Sequence, residues 1–332
     1  MSVRSTHPAD AGRNWRRREF LTKALAALAA TSLLTPDRLV AGSPLLTPSL
    51  SLSANPSIPS PSAAAGPALQ TPSIRQVIDA LLADIPGAPF PQTVDTIKSG
   101  NPDQPVKGIV TTMFATEAII EKAIALGVNF IIAHEPTFYN HTDETDWLGD
   151  DPVLRHKKDL LDKHKMVVWR CHDGIHAHKP DLIRMGVLAD LNWQDAYTEG
   201  NPVLSLPEAF PLERLINFMK HLLGIQHLKY IGDPAQLCKN IIISPGASGG
   251  RSQIGLIQKY EPDIYVCGEL NEWETSEYIR DARYQGRKTA LVVLGHSVSE
   301  EPGMELLAAL LRQKFPNLSV THLPSGDPFA WA

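Results

Sequence analysis

Cysteine is scarce, positive charge is not in excess, and the apolar stretches are too short to cross a bilayer; each shortfall removes a class of protein. Cys171, Cys238 and Cys267 are the only thiols in 332 residues. They are too few and too far apart for a disulfide framework or a cysteine-rich zinc module, and they read as buried apolar side chains. Lysine and arginine number 31 against 36 aspartates and glutamates, a formal net charge of -5. The cationic face that a nucleic-acid backbone requires is missing, so a small-molecule partner is expected and nucleic acid is not. The apolar stretch from Ala24 to Leu34 falls short of the ~20 residues of a spanning helix, and the mature protein should carry no membrane span.

What stands before that stretch is informative. Arg17-Arg18-Glu19-Phe20-Leu21-Thr22-Lys23 fits the twin-arginine export pattern, and the apolar stretch has the length of a signal-peptide core. Residues 1–41 therefore read as a Tat-like signal peptide with cleavage after Ala41, which places the mature protein in the periplasm or outside the cell. Residues 42–72 carry seven prolines between Ser43 and Pro72 and no period of 2 or 3.6, the composition of a flexible tether. The folded unit should span 73–332.

With 43% hydrophobic residues the chain can bury a large core. Ser73 is placed to cap a helix whose Ile74, Val77, Ile78, Leu81 and Leu82 share one face. Short apolar runs at 108–112, 129–133 and 166–170 alternate with helical patterns at 116–126 and 152–165, the wiring of parallel strands with crossover helices. A second set follows, with strands expected at 240–243, 263–267 and 289–294 and helices near 211–223, 273–284 and 300–314. The fold class is α/β in two similar halves, with the boundary near 190–235 and no clear sequence repeat between them.

Three of the expected strands run into donor residues: His134-Glu135 after the second strand, His172-Asp173-Gly174-Ile175-His176 after the third, and His296-Ser297-Val298-Ser299-Glu300 after the last. In open α/β sheets the carboxyl ends of the strands face a common crevice, so side chains remote in sequence converge there. Imidazole and carboxylate are the donors that divalent first-row metals accept. Five of them, His134, Glu135, His176, His296 and Glu300, exceed the three protein ligands of one open catalytic zinc and point to two divalent ions, with Glu300 as the bridge. Ser299 reads as the N-cap that sets Glu300 in a first helical turn. His172, Asp173 and His178 offer alternative donors close to His176. Glu269, after another strand, reads as a general base or as half of a salt bridge. The glycine-rich Ser244 to Arg251 reads equally as an anion cradle or a plain turn, and His141, Asp143, Glu144 and Asp146 as a polar rim.

These segments resemble the Nif-three-like family, dinuclear metal proteins often labelled GTP cyclohydrolase 1 type 2. The resemblance runs over 73–332 and rests on the stretch from Gly295 to Glu300, the apolar helix after it, and Gly268-Glu269-Leu270-Asn271-Glu272-Trp273-Glu274. It implies a three-layer αβα fold, a metal site in the crevice between the halves and, in bacteria, a homo-oligomer in the form of a toroidal hexamer. The family usually has two adjacent histidines where this chain has His134-Glu135, and an aspartate where it has His176. The exchange conserves three imidazoles and two carboxylates. His172 matches a histidine the family also carries, for which a proton-transfer or supporting role is implied. The expected function is metal-dependent hydrolysis of a small substrate; the alternative is a non-catalytic metal-binding or scaffold protein. Zinc, manganese, iron, cobalt and nickel all suit such donors.

Overall fold

The computed structural model describes residues 71–332; the expected Tat-like leader and all but the last two residues of the expected tether lie outside the described residues. Helix α1 (Ile74–Leu82) begins with a capping box, in which Ser73 Oγ accepts from the Gln76 amide at 3.2 Å and Gln76 Oε1 accepts from the Ser73 amide at 2.8 Å. Its Ile74, Val77, Ile78 and Leu81 are buried as the periodicity predicts.

The first sheet contains β1 (Ile97–Ser99), β2 (Ile109–Thr112), β3 (Phe130–Ala133), β4 (Val167–Arg170) and β10 (Val320–His322), in the order β1-β4-β3-β2-β10. Only β1 runs antiparallel. Helices α2 (Glu117–Ala125) and α3 (Pro152–Lys163) are its crossovers. The second sheet contains β5 (Val203–Pro211), β6 (Lys229–Ile231), β7 (Leu237–Ser244), β8 (Ile264–Cys267) and β9 (Ala290–Val293), in the order β5-β7-β8-β9-β6. Its centre is parallel and both edges are antiparallel. Strands β2, β3, β4 and β8 are buried along their whole length, which is why they read as unbroken apolar runs: helices cover both faces.

Each sheet is the middle of three layers. Ile109, Phe130, Ile132 and Trp169 face α1 and two later helices, α5 (Leu182–Asp190) and α9 (His296–Lys314), while Val110, Ile131 and Val168 face α2 and α3. In the second lobe Ile241, Ile243, Ile264 and Val292 face α6 (Leu212–Leu223). Tyr265 and Leu291 face α7 (Gly250–Tyr260) and α8 (Glu277–Tyr284). Helix α5 belongs to both lobes, since Leu182 and Ile183 join the first core and Val187 and Leu188 the second. The second lobe is not the end of the chain's path: after it, β10 returns to the edge of the first sheet beside β2. The three cysteines are buried and free, as expected.

One helix boundary differs from the sequence reading. Helix α9 starts at His296 behind Gly295 (φ 102°), not at Glu300 behind Ser299. Ser299 is no cap because its hydroxyl is used inside the helix: it donates to His296 O at 2.8 Å and accepts from the Gly246 amide at 3.0 Å. Glu300 therefore lies past the first turn, and His296 occupies the first helical position. Among the described residues no helix is long and apolar enough to cross a membrane.

Candidate metal centre

The donors expected at three strand ends do meet. His134 and Glu135 leave β3, His172 leaves β4 and leads into the short helix α4 (Asp173–Ala177) that carries His176, and His296 and Glu300 open α9 after β9. The donor atoms of His134, His172 and His176 lie within 4.8 Å of one another, and so do those of His134, Glu135 and Glu300. His296 Nε2 closes the group, 3.0 Å from Glu300 Oε2 and 3.3 Å from Glu135 Oε1.

Four imidazoles share one arrangement. His134 Nδ1 lies 3.1 Å from Cys171 O, His172 Nδ1 2.9 Å from Asp173 Oδ1, His176 Nδ1 3.2 Å from Asp181 Oδ2, and His296 Nδ1 3.1 Å from Glu269 Oε2. Anchoring one ring nitrogen on a carbonyl or carboxylate fixes the tautomer and leaves the other as a donor to metal. For His134 the assignment is forced. A carbonyl only accepts, so Nδ1 holds a proton, and in the neutral ring Nε2 holds a lone pair. That Nε2 is fully buried without a hydrogen-bond partner, 3.3 Å from the Glu300 carboxylate. In that tautomer two lone pairs face each other in a dry site, a repulsion relieved by a cation between them or, in the ion-free protein, by a proton on Nε2. The spacings of 3.0–3.3 Å among these nitrogen and oxygen atoms match the roughly 3.0–3.5 Å separation of neighbouring ligands around an ion with bonds of about 2.0–2.2 Å. The residues fit a divalent metal.

The supporting residues escaped the sequence reading. Asp95 accepts from three successive amides, His172 at 2.7 Å, Asp173 at 2.9 Å and Gly174 at 2.7 Å, and so pins the turn that presents His172 before α4 and His176 within it. Asp181 holds His176 and also caps α5, accepting from Ile183 N at 2.9 Å and Arg184 N at 3.2 Å. Arg170, wholly buried at the end of β4, donates to His134 O at 3.1 Å, to Glu135 Oε2 at 3.1 Å and to His141 O. An aspartate before a strand or an arginine ending one carries no pattern in sequence; only the fold gives it a purpose.

Charge in the cluster is balanced by proximity. Burial alone would lower the His296 imidazole, but hydrogen bonds to Glu135, Glu269 and Glu300 outweigh it and push it up to about 12. Burial would raise Glu300, yet His134 and His296 hold it well below the usual carboxylate range. Glu135 is lowered in the same way by its histidine neighbours against the effect of burial, and Glu269 chiefly by its hydrogen bond to His296. Burial together with the nearby His134 lowers His172, whereas Asp181 raises His176 in spite of burial.

Remaining expectations find places around this centre. Glu269 is the anchor of His296 Nδ1 and its side chain is 56% exposed. His178 is turned away, its Nδ1 3.0 Å from Pro180 O. In the polar loop His141 is exposed with its ring 5.7 Å from that of His172, while Asp143 folds inward to Lys98 at 3.0 Å and Arg170 at 3.6 Å. The glycine-rich turn before α7 has two amides engaged by the protein itself, Gly246 N by Ser299 Oγ and Gly250 N by Glu274 Oε2 at 3.1 Å. Gly246 (φ 67°) lies so close to the centre that a Cβ there would overlap the Glu300 carboxylate. The glycine is needed for the approach of Glu300.

Comparison with known proteins agrees with this architecture. The family described as Duf34/NIF3 (NGG1p interacting factor 3) matches residues 94–328. A GTP cyclohydrolase 1 type 2 homolog of Chlamydia pneumoniae is 26% identical over 245 residues, covering 70% of this chain and 90% of that protein. Its counterpart in Escherichia coli K12 is 26% identical over 231 residues, covering 67% and 86%. In fold, the chain resembles a hypothetical protein of Staphylococcus aureus (TM-score 0.65, 16% identity, 79% of this chain and 100% of that one). It also resembles a Bacillus cereus protein related to NIF3 (TM-score 0.63, 15% identity, 79% and 100%).

Proposed function

The chain belongs to the Duf34/NIF3 family, and on that premise we propose that its crevice holds two divalent metal ions and hydrolyses a small substrate. The observation that carries the reading is the orphaned, fully buried Nε2 of His134 facing Glu300 across 3.3 Å, inside a donor set too large for one open catalytic ion. A bound pair of such ions polarises an electrophilic carbon or phosphorus and makes water nucleophilic at neutral pH. The protein's part is to hold and shield. Glu300, 3% exposed at its side chain and within reach of both His134 and His296, is placed to bridge. Arg170 fixes one Glu135 oxygen and leaves the other toward His296.

The name of the curated relatives points to a nucleotide-like ring, whereas the twin-arginine leader favours a substrate of the cell envelope, where the mature protein is proposed to work. Homo-oligomerisation belongs to the same proposal, supported by Tyr230, Leu237, Trp273 and Tyr284, which leave apolar surface exposed on the second lobe; light scattering tests it. The function is tested by turnover on a panel of phosphoesters, peptides and cyclic amides. Activity should vanish with chelation, return with added metal, and be lost in His296→Ala while fold and assembly persist. Intact metal content with no turnover on any class would favour a metal-binding scaffold.

A further inference from the structure

Resting on the dinuclear reading, we propose that the two ion positions are chemically unequal: one is rich in imidazole and suited to a zinc-class ion, the other rich in carboxylate and suited to a harder ion such as Mn(II). His172 is then a metal ligand of the first position and not a free proton carrier.

The imidazole-rich position is made by His134, His172 and His176. Their ring centroids form a near-equilateral triangle, 4.8 Å between His134 and His172 and 5.1 Å for each of the other two pairs. All three have Nδ1 committed, which leaves three Nε2 lone pairs for one region. The anchors cannot swing in to replace them. Asp173 Oδ2 already accepts from Thr93 Oγ1 at 2.7 Å and Val94 N at 3.1 Å, and Asp181 Oδ1 caps α5. These carboxylates are built to aim imidazoles. His172 Nε2 stands 3.7 Å from Glu135 Oε1, beyond hydrogen-bond reach, so the cluster gives it no other polar task.

The carboxylate-rich position is made by Glu135, Glu300 and His296, with Glu135 Oε1 and Glu300 Oε2 at 3.3 Å and 3.0 Å from the single imidazole. Three nitrogens favour zinc and its neighbours, while two carboxylates with one imidazole suit manganese or ferrous iron. The inequality follows from this chain's own residues, because Glu135 follows His134 directly and His176 lies one helical turn beyond His172.

The test is competitive loading of the full-length protein, stripped with chelator and then given one equivalent of Zn(II) with excess Mn(II). Elemental analysis after desalting should give one zinc and one manganese per chain. Electron paramagnetic resonance of the same wild-type sample should show isolated Mn(II), without the exchange coupling of a manganese pair. His172→Ala and His176→Ala should lose zinc and keep manganese, and Glu135→Gln the reverse. A statistical mixture with coupled manganese pairs would overturn the inequality while leaving the dinuclear reading in place. So would His172→Ala that retains zinc at the wild-type level. Failure to bind either ion would instead sink the dinuclear reading itself.

Discussion

Gly246 and Gly249 sit three residues apart in one turn, both at positive φ (67° and 77°), yet only one touches the proposed metal centre. Replacing either by alanine sets a Cβ at positive φ, a backbone strain of roughly 1–3 kcal/mol. At Gly249 nothing lies within 4 Å of the added carbon, so Gly249→Ala should cost only that, a fall in Tm of about 2–12 °C for a chain of this size. At Gly246 the carbon would overlap the Glu300 carboxylate. Glu300 must then leave its contacts with His134 and His296, adding roughly 1–3 kcal/mol for the overpacked site and weakening metal by about 10–100-fold, the usual effect of disturbing a ligand's support. Calorimetric unfolding of chelated protein reads the first quantity, and titration with Zn(II) the second. The two variants should part company in metal affinity more than in stability. Equal metal affinity in both would refute the assignment of Gly246 to the approach of Glu300 and weaken the case for Glu300 as a ligand.

The wholly buried Arg170 should be among the costliest residues to truncate. Arg170→Met leaves Glu135 without its guanidinium partner and Asp143 with Lys98 alone, and a loss of roughly 3–5 kcal/mol is expected in denaturant unfolding; a loss under 1 kcal/mol would contradict its role in fixing Glu135. For the ion-free protein the pH dependence has a definite sign. His296 is raised to about 12, so its contribution is complete below its ordinary value and drains away as pH rises through neutrality toward that figure. The carboxyls of Glu135, Glu269 and Glu300 are lowered, so theirs is present above the ordinary carboxylate range and lost in acid. Chelated protein should therefore be most stable between about pH 5 and 6.5 and fall on both sides; a Tm that climbs from pH 7 to 9 would refute this account. Because His296 must give up a proton to bind metal, filling the second position with excess zinc at pH 7.5 should release about one proton, measured by calorimetry in buffers of different ionisation enthalpy. Release of none as the second position fills would show that His296 Nε2 is not a ligand.

The parts readable in sequence were those with strong local periodicity or local chemistry. Buried parallel strands announce themselves as apolar runs, and Ser73 with Gln76 spells out its own cap. Donors at the ends of such runs could be gathered by topology alone. What could not be read depends on contacts remote in the chain. Strand β5 contains Pro207 and ends on Pro211, residues that argue against a strand unless it lies at an edge. Strand β10 is three residues long and exists because β2 has a free side for it. The start of α9 was misread for a related reason. Pro302 lies inside the helix although proline is most at home in a first turn, and Ser299, which looks like a cap, spends its hydroxyl on Gly246 from the glycine-rich turn.

The geometry across the metal centre depends on how α5 and α9 cross. A Cβ on Gly303 would lie 2.6 Å from Ile183 Cα, and one on Gly186 would overlap the backbone of Pro302 and Gly303, so the two helices touch backbone to backbone. Nothing flexible intervenes. Glu300 lies one turn before this contact on α9, and His296 one turn before Glu300. On α5 the N-cap is Asp181, which also holds His176 Nδ1. The same crossing that joins the two hydrophobic cores therefore sets His176 against His296 and Glu300. The candidate ligands from the two lobes are positioned by a backbone-to-backbone seam that already brings them together, and the glycines at 186 and 303 are as much a part of the proposed metal centre as its donors.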